Sequence, residues 1–293
     1  MAILHAAADA GITFFDTADV YGDGRSERFV GQLLRERSGE PLFVATKTGR
    51  RARVQEDGEY TEANLRAWID RSRQNLGVER IDLVQWHCPP TDTLARESMY
   101  ELFDGLVAEG VIAGYGVSVE TVEQARVAIS HPHIASLQII VNAFRLKPLE
   151  TVIPEAAAAG VGVIARVPLA SGLLAARFTA DTAFASDDHR NYNREGVAFD
   201  VGETFSGVPY EVGVAAAAEL AALVPTGVTP AQAALRWLAD QPGISTVIPG
   251  ASRVEQARAN AAVGSLPPMP VGYAQAVHDI YDREIRAHVH GRW

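Results

Sequence analysis

The alternation of short apolar runs with longer polar stretches constrains the fold of this 293-residue chain more than any other feature. Each short run is rich in β-branched and aromatic residues, and a stretch with helical periodicity follows it. This alternation is typical of βα units, in which crossover helices join parallel strands. The predicted strands are 12–18, 42–48, 81–88, 113–118, 135–142, 161–168 and 245–250. The predicted helices include Met1–Gly11, 62–76, 96–109, 121–130 and 229–240.

Two architectures fit this order of elements, a βα barrel and a doubly wound open sheet. The open sheet usually carries a dinucleotide-binding fingerprint directly after its first strand. The segment Gly160–Ala165 matches G-x-G-x-x-A as letters, but it leads into a predicted strand instead of following one. No linker rich in Pro, Ser or Gly divides the sequence. We therefore predict a (β/α)8 TIM-type barrel that forms a single domain over residues 1–293.

Charge and cysteine content narrow the classes of function. The formal net charge is −10 and no block of basic residues occurs, which argues against nucleic acid as a partner. Cys88 is the only cysteine, so the chain cannot form an internal disulfide, and a reducing compartment fits. No apolar run reaches the roughly 18 residues that a membrane span needs. We expect a cytoplasmic protein without a membrane partner.

Ionisable side chains stand at the ends of three successive predicted strands. Asp16 lies near the end of the first, Lys47 of the second and His87 of the third. Functional sites of βα barrels lie at the C-terminal ends of the strands, and neighbouring strands are about 4.8 Å apart. The three residues also share the parity of an inward-facing row. The sequence therefore predicts that their side chains meet in one site.

These residues suggest acid catalysis by a tyrosine. A lysine at the mouth of an apolar barrel is costly unless a carboxylate pairs with it, and Asp16 is the expected partner of Lys47. Tyr21 lies in the loop after Asp16, where a lysine cation favours the phenolate form and lets the tyrosine act as a general acid. Singly, Asp16 can be a strand-end cap, Tyr21 loop packing and His87 a hydrogen-bonded core histidine. The four together favour a catalytic site.

Three segments resemble the aldo-keto reductase family: Phe14–Gly22 (FFDTADVYG), Ala45–Lys47 (ATK) and His87. The resemblance covers nearly the whole chain. It implies an enzyme that transfers a hydride from NADPH to the carbonyl of a small aldehyde or ketone, or runs the reverse alcohol oxidation, without a metal. It also implies a catalytic tetrad of Asp16, Tyr21, Lys47 and His87.

The same resemblance implies where the cofactor binds. Ser118 and Gln138 match residues that hold the nicotinamide carboxamide, although Val119 stands where the family often has asparagine. Arg166 replaces a stacking tyrosine and can stack on or hydrogen-bond the cofactor. Arg253 opens a predicted helix, whose free N–H groups suit a phosphate, and pairing with a 2′-phosphate would favour NADPH. The implied cofactor residues are Ser118, Gln138, Arg166, Pro168, Leu169, Gly172, Gly250, Ser252, Arg253, Gln256 and Asn260.

The start of the chain departs from the family pattern. Relatives begin with a hairpin and a first barrel strand, whereas this sequence begins with the predicted helix Met1–Gly11. We expect the codons upstream of Met1 to encode these elements. The alternative is a defective paralogue with a non-catalytic role in cofactor binding, regulation or partner binding. A third class, a metal-dependent barrel hydrolase, needs clustered ligands at strand ends, and only His87 and Asp16 stand there.

Two further segments have predicted roles. Residues 175–210, rich in Asp, Asn, Gly and Arg, show no regular period, and a loop this long is usually functional. We expect this segment to fold over a ligand on the seventh βα connection of the full barrel. Residues 273–293 are predicted to form a closing helix and tail that pack on the barrel, with no metal role for His288 and His290. The sequence specifies neither the carbonyl substrate nor the oligomeric state.

Overall fold

The computed structural model describes all of residues 1–293 and contains one sheet of seven parallel strands. The strands lie in sequence order, so each pairs with the next one along the chain. All seven predicted strands are present, with ends that differ by a few residues. The strands are β1 Phe14–Asp16, β2 Phe43–Thr48, β3 Leu83–His87, β4 Tyr115–Ser118, β5 Ser136–Ile140, β6 Gly162–Arg166 and β7 Ile244–Val247.

Helices follow the strands as predicted, and the predicted helix 62–76 matches the observed one residue for residue. The helices are α1 Ala2–Asp9, α2 Arg25–Glu36, α3 Glu62–Leu76, α4 Thr91–Leu94, α5 Glu97–Ala108, α6 Val122–Ile129, α7 Lys147–Glu150, α8 Val152–Ala158, α9 His189–Tyr192, α10 Tyr210–Ala221, α11 Pro230–Ala239, α12 Val254–Ala262, α13 Val271–Ile280 and α14 Arg286–Val289. None of them combines the length and apolar character that a membrane crossing requires.

The sheet is curled, because residues from distant strands pack in one cluster. Phe14 of β1 and Ile164 of β6 both pack there with Ala45, Leu83 and Ile248. In a flat sheet β1 and β6 would lie about 24 Å apart, at roughly 4.8 Å per strand. On the outside, α1 packs against α12. The result is an α/β fold of TIM-barrel type, with an open space between β1 and β7, which pair only with β2 and β6 respectively.

The sequential strand order excludes the doubly wound sheet, whose order reverses at a switch point. Gly160 lies in the turn before β6, and Gly162 begins that strand. The rejection of Gly160–Ala165 as a dinucleotide fingerprint is therefore confirmed.

Of the strands that end earlier than predicted, β3 and β6 end where the backbone turns sharply. Cys88, predicted to close β3, has φ +49°, and Val167, predicted within β6, has φ +52°. Left-handed backbone is uncommon outside glycine and is strained for a β-branched valine. Both residues lie beyond the ends of their strands, although Cys88 N still donates a hydrogen bond to Ser118 O at 2.9 Å. Both turns lie at the carboxyl edge of the sheet, where strain often accompanies function.

The segment 175–210 has more local structure than predicted. It contains α9 and two 3-10 turns, Val201–Glu203 and Phe205–Gly207. Phe184, Phe205 and Tyr210 pack together, with ring centroids 5.2 to 6.0 Å apart. This aromatic contact folds the segment back on itself.

The predicted packing role of residues 273–293 is confirmed by the burial of Tyr281, Ile285 and Trp293. Trp293 Nε1 donates a hydrogen bond to Asp200 Oδ1 at 3.0 Å. The Arg145 guanidinium lies 3.7 Å from the centroid of the Trp293 ring. The tail therefore fixes the second half of the segment 175–210 against the barrel.

Candidate active site

One cavity of about 720 Å³ lies at the carboxyl ends of the strands and continues into the space between β1 and β7. Its lining includes all four residues predicted to be catalytic, Asp16, Tyr21, Lys47 and His87. The predicted cofactor residues in the lining are Ser118, Gln138, Arg166, Gly250 and Asn260. The predicted cofactor residues outside the lining are Pro168, Leu169, Gly172, Ser252, Arg253 and Gln256.

A buried ion pair joins β1 to β2 at the base of this site. Lys47 Nζ donates to the Asp16 carboxylate and to Thr17 O, the latter at 2.8 Å. Burial opposes the ammonium charge, but Asp16 and Tyr21 more than offset it, so the pKa of Lys47 lies above its ordinary value. Asp16 also accepts a hydrogen bond from Gln138 Nε2 at 2.9 Å. Both members of the pair are thus well satisfied by hydrogen bonds.

Tyr21 stands over this pair. Lys47 Nζ lies 5.1 Å from the centroid of the Tyr21 ring, and the His87 ring lies edge-on to the tyrosine at 6.1 Å. Tyr21 is 44% exposed, whereas Lys47 and His87 are buried. The phenol is therefore the member of this group that a ligand in the cavity can reach most easily.

His87 is neutral in the folded protein. Burial, and then the charges of Arg50, Lys47 and Arg166, hold the pKa of its imidazole well below the usual range. Its Nδ1 is buried without a hydrogen-bond partner. A neutral imidazole can donate one hydrogen bond to a carbonyl oxygen, but it has no second proton to give up.

Several predicted cofactor residues keep free polar atoms. Gln138 Nε2 donates a hydrogen bond to Asp16, while Gln138 Oε1 is buried without a partner. The Nε of Arg166 is also buried and unpartnered. Arg253, directly before α12, is exposed, and its side chain makes no hydrogen bond or ion pair. These atoms suit a ligand that carries amide and anionic groups.

Four charged side chains, which we call the charged ring, pair with one another beside the cavity: Arg50, Glu120, Arg166 and Glu203. Arg50 Nη2 lies 3.2 Å from both Glu120 Oε1 and Glu203 Oε1. Arg166 Nη2 lies 2.8 Å from Glu120 Oε2, and its Nη1 lies 3.4 Å from Glu203 Oε1. Arg166 and Glu203 face the cavity.

Sequence reasoning missed three members of the charged ring. Arg50 and Glu120 closely follow predicted strand ends, and this position is the only signal that could have indicated them. Glu203 lies within 175–210, whose path cannot be derived from its composition. The expectation that this segment folds over a ligand remains a prediction, although it does place Glu203 at the cavity.

Cys88 approaches Glu120 and Glu203, with one ligand atom of each lying within 4.8 Å of the others. This set does not suit a metal ion. Burial and then Glu120 raise the pKa of the Cys88 thiol to about 12, so the thiol stays protonated. The ring arginines already pair with both carboxylates.

The loop between Asp16 and Tyr21 contains a second buried carboxylate, Asp19. Neither of its oxygens has a hydrogen-bond partner. Burial and the nearby Glu27 carboxylate raise the pKa of Asp19 to about 7, although Arg51 acts against this rise. Deprotonated Asp19 is therefore unfavourable in the folded state.

Residues 1–279 match the family model described as Aldo/keto reductase family. The chain belongs to the aldo/keto reductase family. The resemblance found in the sequence is thus confirmed, and membership indicates an oxidoreductase.

Individual relatives are similar at modest identity. The Bacillus subtilis "uncharacterized oxidoreductase YqkF" is 29% identical over 263 residues, 89% of this chain and 80% of its own length. A probable voltage-gated potassium channel subunit beta from rice, Oryza sativa subsp. japonica, is 28% identical over 87% of this chain and 78% of its own. The glycerol dehydrogenase structure from Gluconobacter oxydans has 30% identity and a TM-score of 0.77, over 97% of this chain and 85% of that one.

A further structure shares the fold at lower identity. The Klebsiella pneumoniae aldo-keto reductase in complex with NADPH has 23% identity and a TM-score of 0.68, over 96% of this chain and 84% of that one. Nicotinamide cofactor binding therefore occurs among proteins of this fold.

The state of Asp19 predicts how stability depends on pH. The folded pKa of Asp19, about 7, exceeds the ordinary value of 3.8. Asp19 therefore contributes stability that is full below about pH 4 and is lost as pH rises through 7. Asp19→Asn should therefore raise the Tm relative to the parent more at pH 8 than at pH 5. A difference on the order of 1–2 kcal/mol corresponds to a few degrees in a protein of this size.

Thermal unfolding followed by circular dichroism at both pH values measures this difference. Asp187→Asn, the same change at an exposed carboxylate in the segment 175–210, is the control. An Asp19→Asn gain of equal size at pH 5 and pH 8 would contradict the assignment.

Proposed function

We propose that the protein transfers a hydride between NADPH and the carbonyl carbon of a small aldehyde or ketone, or runs the reverse alcohol oxidation. The observation that carries this proposal is the buried Lys47–Asp16 pair below Tyr21, with His87 alongside, in one cavity. The proposed enzyme is cytoplasmic and acts as one barrel domain over residues 1–293.

In this proposal Tyr21 donates its proton to the carbonyl oxygen as the hydride arrives at carbon. Lys47 then stabilises the phenolate by its charge, and Asp16 keeps Lys47 charged and in place. Neutral His87 donates a hydrogen bond that orients the carbonyl. The bound cofactor supplies the hydride, and none of these steps needs a metal.

The chain's own residues fit a nicotinamide dinucleotide. The unpartnered Gln138 Oε1, together with Ser118, suits a carboxamide, and Arg166 suits the nicotinamide ring or its neighbouring groups. Gly250 and Asn260 line the same cavity, and the free side chain of Arg253 suits a 2′-phosphate. Pro168, Leu169 and Gly172, the other cofactor residues that the resemblance implies after β6, follow the left-handed turn at Val167.

A non-catalytic role is the second candidate, because the rice relative is named as a channel subunit. Such a protein would bind NADPH and a partner without turnover. The complete tetrad favours the enzyme, and measured hydride transfer to any carbonyl separates the two. A metal-dependent hydrolase has no suitable ligand cluster to support it, since the Cys88 set is already paired.

We also propose that the space between β1 and β7 is the place of an eighth strand. The facing edges of β1 and β7 have no strand partner. Apolar side chains line the space from both sides, among them Phe14 of β1, Leu4 of α1 and Ile244 of β7. A parallel strand there would pair both edges and close the barrel.

Removing the phenol oxygen should stop the reaction. Tyr21→Phe keeps the ring but deletes the acid, so kcat and kcat/KM for carbonyl reduction should fall roughly 10²–10⁴-fold while NADPH affinity stays within a few-fold. Lys47→Met should also lose rate, and the two losses should be strongly non-additive because both residues serve one proton transfer.

Stopped-flow NADPH oxidation with a reactive aromatic aldehyde tests this. Tyr192→Phe, at an exposed tyrosine of the segment 175–210, is the matched control. If Tyr21→Phe turns over at more than about a tenth of the parent rate, another group carries the proton and the assignment of the tetrad is wrong.

Arg253 is expected to discriminate between the cofactors. Arg253→Ala should weaken NADPH binding by about 1–3 kcal/mol and leave NADH binding nearly unchanged, because only NADPH offers a 2′-phosphate. Fluorescence titration with both cofactors measures this. Arg258→Ala, at an exposed arginine within α12, controls for general loss of positive charge. Equal weakening of both cofactors would show that Arg253 is not the discriminating residue.

An added strand should stabilise the fold. We expect a short Gly-rich apolar strand, joined before Met1 by a turn, to raise the Tm and the solubility of the chain by pairing with β1 and β7. An extension of equal length with Lys and Glu at the apolar positions is the control. Equal Tm values for the two extended proteins would argue against a strand site.

A further inference from the structure

Glu203 presents a free oxygen to the cavity that contains Tyr21 and His87. Its Oε1 is held by two cations, with Arg50 Nη2 at 3.2 Å and Arg166 Nη1 at 3.4 Å. No protein donor lies within hydrogen-bonding distance of its Oε2. The side chain is 23% exposed, so a ligand can reach this second oxygen.

The backbone of Glu203 is fixed in this position. The turn Val201–Glu203 is capped by Asp200, whose Oδ1 accepts a hydrogen bond from Gly202 N at 2.7 Å. Trp293 Nε1 donates to the same oxygen. Ser171 Oγ donates to Glu203 O at 3.1 Å. A carboxylate oriented before a ligand arrives binds at a lower entropic cost.

The remaining capacity of Glu203 is that of a hydrogen-bond acceptor. Its ion pairs with Arg50 and Arg166 involve only Oε1, so Oε2 can still accept a hydrogen bond. A carboxylate accepts from hydroxyl or amine donors, repels an anionic group and gains nothing from an alkyl chain. The neutral donor that a small carbonyl compound most commonly carries is a hydroxyl group.

We propose that Glu203 is a specificity residue that accepts a hydrogen bond from a hydroxyl group of the substrate, so that hydroxylated aldehydes are reduced in preference to alkyl aldehydes of equal length. This inference rests on the proposed carbonyl reduction. The site favours the hydroxylated compound because a bound alkyl chain would displace water from this oxygen and leave it unpaired.

The test compares glyceraldehyde with propanal, which have the same carbon chain with and without hydroxyl groups. In Glu203→Gln, kcat/KM for glyceraldehyde should fall roughly tenfold to a hundredfold, mainly through KM, while the value for propanal stays within about threefold. Taking the ratio of variant to parent cancels the hydration of each aldehyde. Glu195→Gln, at an exposed glutamate of the segment 175–210, is the control and should change neither ratio.

A second variant guards against general disruption of the charged ring. Glu203→Asp keeps the charge that faces Arg50 and Arg166 but withdraws the oxygens by one methylene. It should fold like the parent and still lose activity with glyceraldehyde selectively.

The outcomes separate the two proposals. If the parent binds NADPH but reduces neither aldehyde, the proposed function fails. If the parent reduces both and each Glu203 variant lowers both rates equally, the proposed function stands and the specificity role fails. Weaker NADPH binding in the Glu203 variants, measured by fluorescence titration, would show that this carboxylate contacts the cofactor and would also overturn the inference.

Discussion

The buried pair of Lys47 and Asp16 is the interaction on which the rest of the site depends. Two charges removed from water are tolerated only where geometry and further hydrogen bonds compensate. Strand order brings Asp16 and Lys47 together, because β1 and β2 are neighbours. Curvature supplies another, since Gln138 on β5 would be about 19 Å from β1 in a flat sheet at roughly 4.8 Å per strand. Its amide lies 2.9 Å from Asp16, so the pair and the curled sheet require each other.

The charges around His87 divide the chemical roles. Lys47, Arg50 and Arg166 all disfavour a second positive charge on the imidazole, and burial acts in the same direction. A histidine held neutral can orient a carbonyl but is a poor proton source. Tyr21, more exposed than its neighbours and close to Lys47, is the acid in the proposed mechanism. In that mechanism the cations act in two ways: they keep His87 neutral, and Lys47 stabilises the phenolate of Tyr21.

The sequence predicted features that depend on local order and missed those that depend on distant segments. The seven strands and the meeting of Asp16, Lys47 and His87 follow from adjacent strand ends. The sharp turns at Cys88 and Val167 did not, because neither residue type favours left-handed backbone. Three members of the charged ring also escaped prediction, since the ring joins Arg166 at the end of β6 to residues of the loops after β2 and β4 and to a residue of the long segment 175–210.

The open edge of the sheet and the candidate active site are physically linked, because Asp16 belongs to an edge strand. β1 has three residues and pairs on one side only, with β2. At the carboxyl end of β1, Lys47 of β2 donates hydrogen bonds to Asp16 and to Thr17 O. The ion pair therefore helps to hold β1 in the sheet. Any strand that occupied the other side of β1 would restrain the same carboxylate. Sheet stability and the orientation of Lys47 below Tyr21 should therefore change together.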